Sequence, residues 1–94
     1  MEKVEEILLA ILTNIVDNPS DVKILNTELA TDERGEFTKI NVGVHKNDAG
    51  RCIGVEGKNA EAIRKVVALV AFKQTGKRVR AGIESTKKTY NYEE

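Results

Sequence analysis

Tryptophan is missing from this chain, and proline, cysteine, methionine and histidine occur once each. One cysteine, Cys52, leaves no partner for an internal disulfide, so a reducing compartment fits and the side chain reads as a small buried hydrophobe rather than a nucleophile. One histidine, His45, has no companion at metal-ligand spacing, and it reads as a surface or strand-end residue. With no carboxylate pair beside a histidine, no nucleophile–base set and no P-loop, the chain is not expected to be an enzyme, and no catalytic residue, metal site or cofactor is assigned. Long apolar runs are also lacking. Runs such as Ile7 to Leu12 fall far short of the roughly 18 residues of a membrane span. Glu2, Glu5 and Glu6 give the N-terminus the wrong charge for a signal peptide. A cytoplasmic protein with no membrane association is therefore expected.

Ninety-four residues make one domain. Lysine and arginine balance aspartate and glutamate, 15 against 15, but the two signs are segregated. Residues 1–45 hold four basic and nine acidic side chains, a balance of −5, whereas residues 46–80 hold nine and three, a balance of +6. The basic segment steers anions locally although the whole chain is neutral. A solvated surface with clustered charge is the plainer alternative.

Val4, Ile7, Leu8, Ile11, Leu12 and Ile15 recur at helical spacing and form one apolar stripe. Asp17-Asn18-Pro19-Ser20 ends that helix, since Pro19 biases Asn18 away from helical angles. Val22 to Thr31 reads as a strand of untidy phase, which a bulge or an edge position explains. Asp32-Glu33-Arg34-Gly35 is a turn, and Phe37 to His45 a second strand with Ile40, Val42 and Val44 inward, giving an antiparallel hairpin. Asn47 or Asp48 caps a short helix through Cys52. A longer helix follows, over Ala60 to Lys73, with a stripe of Ile63, Val66, Val67, Val70 and Ala71 stopped by Gly76. Val79, Ala81 and Ile83 alternate with Arg78, Arg80 and Gly82 in a third strand with one basic face, which also reads as the solvated face of an edge strand. Residues 85–94 are polar, without an apolar period, and read as a disordered tail. The order is α-β-β-α-α-β, an α+β fold with helices packed on one face of a three-stranded sheet.

Between the second and third helices stands Gly54-Val55-Glu56-Gly57. A helix that opens at such a turn presents unpaired amide donors and about half a positive charge, which suits a phosphate oxygen. Glycines at both ends let another backbone approach closely. A GxxG alone is also an ordinary tight turn between helices.

The context is more specific. Val16-Asp17-Asn18-Pro19, then Asp48-Ala49-Gly50-Arg51-Cys52-Ile53-Gly54, then Gly57-Lys58-Asn59-Ala60-Glu61-Ala62-Ile63-Arg64-Lys65-Val66-Val67, and Gly76-Lys77-Arg78-Val79, together resemble the KhpA (YlqC) family of small bacterial single-KH proteins. The resemblance runs over residues 3–84 and implies a type II KH domain over residues 1–84. It also implies a non-catalytic single-stranded RNA-binding protein, acting as an RNA chaperone or post-transcriptional regulator in a pathway tied to cell shape and division. KH modules clamp a four-nucleotide backbone stretch at the GxxG. On that basis Gly54 and Gly57 allow close backbone approach, and the amides of Val55, Glu56, Gly57, Lys58 and Asn59 meet phosphate. Lys58, Arg51 and Arg64 neutralise charge, and Ile53 supplies apolar surface. Four aromatic rings, Phe37, Phe72, Tyr90 and Tyr92, imply little base stacking and low sequence specificity.

One departure stands out. Family loops resemble Gly-Lys-x-Gly, whereas Val55 replaces the lysine here and Glu56 adds a carboxylate. At an exposed helix N-terminus each charge change is worth about 0.3–1 kcal/mol, so the expected penalty is roughly tenfold in affinity. Glu56 also reads as a stabiliser of the helix N-terminus with no role in binding. The resemblance also implies homodimers, or heterodimers with a KhpB (Jag/EloR)-like protein. A protein-interaction module with weak RNA binding is thus the alternative function.

Overall fold

The computed structural model describes residues 2–85. Three helices and three strands follow in chain order: α1 (Glu2–Thr13), β1 (Lys23–Asp32), β2 (Gly35–Val44), α2 (Lys46–Ile53), α3 (Lys58–Thr75) and β3 (Val79–Ser85). The predicted order is the observed one. Short 3-10 turns occupy Pro19–Asp21 and Val55–Gly57. β3 runs one residue past the predicted domain boundary at residue 84, and the remainder of the expected tail, with Tyr90 and Tyr92, lies outside the described residues.

β2 is the central strand. It pairs antiparallel with β1 and parallel with β3, so the sheet is mixed. A parallel neighbour requires a crossover, and α2 and α3 supply it. The untidy phase of β1 has both predicted causes. Its register shifts between Ile24 and Asn26, which leaves Leu25 as the extra residue of a bulge, and the strand lies at the sheet edge. At the hairpin, Gly35 takes φ 116° and the Asp32 carboxylate accepts the Arg34 N–H at 2.9 Å.

All three helices pack on the sheet face that carries Ile40, Val42 and Val44. α1 contributes Val4, Leu8 and Leu12, each four residues from the last and so on one side of the helix. Full burial of each such side chain is worth about 1.5–3 kcal/mol. α2 contributes Cys52, and burial pushes its thiol pKa up, as expected of an inert small hydrophobe. β3 contributes Val79 and Ala81.

α3 departs from its predicted stripe. Its buried side is Ala60, Ile63, Val67 and Ala71, while Val66 is exposed and Val70 only half-buried. The small alanines at either end let the helix lie close to its neighbours, which a stripe of valines does not allow. Leu69 (73% exposed) and Phe72 (60%) consequently face solvent. α3 ends as predicted: Gly76 takes φ 75° and its N–H donates to Phe72 O at 2.8 Å.

Candidate nucleic-acid interface

The entry to the GxxG turn is built by α2. Its N-cap is His45 rather than Asn47 or Asp48: the His45 Nδ1 accepts the Asn47 N–H at 2.9 Å. Asp48 is instead turned inward and almost fully buried. Its carboxylate accepts the Asp17 N–H at 3.1 Å, the Asn18 N–H at 3.0 Å and the Asn18 amide at 3.1 Å. Burial alone would raise the Asp48 pKa, but the three hydrogen bonds outweigh it and hold the carboxyl below its ordinary value. Asp48 thereby fastens α2 to the loop after α1.

At the other end of α2 the Gly54 N–H donates to Gly50 O at 2.8 Å, and the backbone turns out at φ 79°, ψ 172°. Gly57, at φ 74°, donates to Gly54 O at 3.1 Å and leads into α3. No side chain caps the N-terminus of α3, although the Lys58 N–H donates back to Val55 O within the turn. Glu56 lies between the glycines at φ 59°, ψ 24°, the one described non-glycine residue with positive φ. Val55 projects at the tip, 81% exposed.

Two residues expected to meet the ligand are committed within the fold. The Asn59 amide donates to Arg51 O at 2.7 Å, closing the turn on the end of α2. A Cβ on Gly54 would lie 2.7–2.9 Å from Asn59 atoms, so this glycine is required by contact as well as by its φ. Arg51 reaches back to the loop after α1, donating to Ile15 O at 3.0 Å and to the Asp17 carboxylate at 3.3 and 3.4 Å. Lys58 is exposed beside the turn, Ile53 is partly exposed before it, and Arg64 is half-buried farther along α3. The structure thus gathers Ile53, Gly54, Val55, Glu56, Gly57, Lys58 and Asn59 at one corner, with Arg51 engaged elsewhere.

Arg64 also opens onto a feature the sequence did not announce. A cavity of about 410 Å³ lies between α3 and the start of β3, lined by Arg64 and Lys65 on one side and by Phe37, Arg78 and Arg80 on the other. Phe37 is buried yet stands apart from the helix-side core, beneath the guanidinium groups of Arg80 at 4.4 Å and Arg78 at 5.5 Å from the ring centre. Arg78 is held by Asp32 at 2.7 Å, and that hydrogen bond, with the Arg34 N–H, lowers the Asp32 pKa to about 2 and raises that of Arg78. The alternation of Arg78 and Arg80 was the available signal. It located a basic face but not the helix that walls it in.

A sequence model described as KhpA/KhpB, KH domain, matches residues 5–83. The chain belongs to the KhpA/KhpB KH-domain family. Three relatives, each named RNA-binding protein KhpA, are similar over most of their length. The Bacillus subtilis protein is 32% identical over 93% of this chain and 88% of its own. The Listeria monocytogenes protein is 38% identical over 78% and 90%, and the Streptomyces coelicolor protein 39% over 70% and 77%. Among solved structures, Aquifex aeolicus Era bound to GDP and aluminium fluoride shares the KH fold at a TM-score of 0.67 and 16% identity. Era in complex with nucleotides 1506–1542 of 16S ribosomal RNA aligns at 0.68 and 16%. The chain covers 88% and 87% of itself in these alignments but spans only 30% and 29% of the Era chains. Among the described residues no helix is long and apolar enough to cross a membrane, and no cluster of metal-ligating side chains occurs.

Proposed function

We propose that this protein binds single-stranded RNA in the cytoplasm as a non-catalytic RNA chaperone or post-transcriptional regulator. The observation that carries the reading is the uncapped N-terminus of α3 behind the Gly54–Gly57 turn, set in the basic half of the chain. Backbone phosphates are received by the amides between Val55 and Asn59 that do not already donate within the turn, as those of Gly57 and Lys58 do, while the two glycines admit close approach and Lys58 and Arg64 add charge. Ile53 lies under a base. Arg51 and Asn59 act mainly by holding the turn, as their hydrogen bonds support. Family membership, and the RNA-binding names of relatives that match along most of their length, support the same reading. Titration of labelled single-stranded RNA against wild type and Lys58→Glu at two salt concentrations tests it. A weaker, salt-sensitive Kd is expected for the variant; unchanged affinity, or no salt slope, would sink the clamp.

A specific observation favours a second reading, self-association or pairing with a KhpB-like protein. Val66, Leu69 and Phe72 are exposed together on α3. Pairing raises the affinity of a small domain with a shallow site through effective concentration. Sedimentation of wild type and Leu69→Glu separates the two. A dimer lost in the variant with no RNA affinity in either protein would favour interaction as the main role.

A further inference from the structure

We infer that the sheet face turned away from the helices carries a second RNA contact, in which Asn41 Oδ1 accepts a ribose 2′-hydroxyl and Lys39 meets the adjoining phosphate. The inference rests on the RNA-binding reading and adds to it a basis for telling RNA from DNA. Side chains alternate along β2, so Lys39 and Asn41 point away from the core that Ile40 and Val42 enter. On the same face, Asn26 and Glu28 of β1 flank them on one side and Gly82 of β3 on the other.

Asn41 is only 9% exposed although no helix covers this face. Its amide nitrogen donates to Asn26 Oδ1 at 2.7 Å and to the Glu28 carboxylate at 3.3 Å, which uses both hydrogens. An ionised carboxylate only accepts, so Glu28 fixes which end of the Asn41 carboxamide faces β1. The Oδ1 points the other way, toward β3. No donor among the described residues reaches it, and it is not sealed from solvent. Asn41 therefore presents a fixed, open acceptor that the protein itself leaves without a donor.

Gly82 keeps that acceptor uncovered. A Cβ there would stand 2.8 Å from Asn41 Oδ1 and 3.6 Å from Lys39 Cε, so any other residue would cover the oxygen or push it aside. The same distances bring the Lys39 stem over Gly82, beside the acceptor. No acid pairs with Lys39 among the described residues: Glu28, opposite it on β1, is bound to Asn41, and Glu84 stands farther along β3. An acceptor next to a cation selects a ligand with a donor next to an anion. Along a nucleic-acid backbone the 2′-hydroxyl is the one donor, and it adjoins a phosphate; DNA has no donor to offer there. β3 is a sheet edge, so an RNA strand held at the Gly54–Gly57 turn reaches this face by passing over it, with nucleotides beyond the four at the turn.

Sugar chemistry tests this. Strands of one sequence and about twelve nucleotides, made as RNA, as 2′-O-methyl RNA and as DNA, are titrated against wild type, Asn41→Ala, Lys39→Met and Lys58→Glu. Thermal melts first establish that each variant is folded. Wild type is expected to prefer RNA over both analogues about fivefold, in line with one neutral hydrogen bond. Asn41→Ala should lose that preference, whereas Lys58→Glu should weaken all the strands and keep it. Lys39→Met, which retains the stem, should reduce the slope of log K against log salt by about 0.7. The side-chain amide signals of Asn41 in NMR spectra of wild type should shift with RNA and stay in place with the 2′-O-methyl strand, a readout that needs no variant to fold. Equal affinity of wild type for the three strands, or a preference that persists in folded Asn41→Ala, overturns the contact while leaving the clamp intact. No binding of any strand by wild type overturns the RNA reading itself. Asn41 signals that move with an extended peptide and not with RNA would assign the face to protein instead.

Discussion

Glu56 holds φ 59°, ψ 24°, a conformation that costs a residue with a Cβ about 1–2 kcal/mol relative to ordinary helical angles. The sequence shows a carboxylate in an unusual place but gives no sign that its backbone is also strained. Glu56→Gly is expected to stabilise the fold by about 1 kcal/mol, seen as a higher urea midpoint at unchanged slope; an unchanged or lower midpoint would contradict the strain. Glu56→Lys, which removes an anion and restores a cation, should tighten RNA binding roughly tenfold, most of all at low salt. The two substitutions separate backbone strain from charge at one site. Asp32 and Asp48 give the molecule its acid sensitivity. Both carboxyls have lower pKa values folded than unfolded, so the unfolded chain takes up protons first as the pH falls. Their contribution is complete above the unfolded value, 3.8 for Asp32, and is lost as the pH drops toward the folded value of about 2. Asp32→Asn should flatten the dependence of the urea midpoint on pH below about 4 and leave its shape above that unchanged.

Most of each element was legible because its signal is local. The stripe of α1 and the alternation of Ile40, Val42 and Val44 need only near neighbours: Val4, Leu8 and Leu12 are buried with the three strand residues, while Ile7, Ile11 and Ile15 of the expected stripe are half-buried. The α3 stripe was misjudged because Val66, Val67 and Val70 are alike in type, and only the sheet selects which side of the helix it receives. The energetic contrast is measurable. Leu8→Ala, in the core, should cost about 2–5 kcal/mol. Leu69→Ala, on the open side of α3, should stay within about 0.5 kcal/mol in the monomer. A large loss at Leu69 under dilute conditions would mean that this side is covered in solution. The elements around the turn were legible too, but not their ties. Asp48 meets Asn18 across 30 residues and Arg51 meets Ile15 across 36, separations at which no periodicity carries information.

Across the whole molecule, an acidic half and a basic half fold into one layer of helices on one mixed sheet, and the net charge of zero conceals the division. RNA affinity should therefore fall with salt despite overall neutrality. For about three neutralised phosphates, the slope of log K against log salt is about −2 for a single strand. A slope near zero would mean that the basic segment takes no part. By itself the sequence determined the element order, the extent of the basic segment and the presence of a glycine-bounded turn between two helices, because each is written in composition or short-range spacing. Only the tertiary structure decided that Arg51 and Asn59 are spent on the fold, that Asp48 is a buried fastening, and that Phe37, Arg80 and Arg64 share one cavity. The reason is that Phe37, Arg80 and Arg64 become neighbours through the parallel pairing of β2 with β3 and the packing of α3 beside it, and Asp48 and Arg51 meet the loop after α1 through the placing of α2, contacts between segments far apart in the chain.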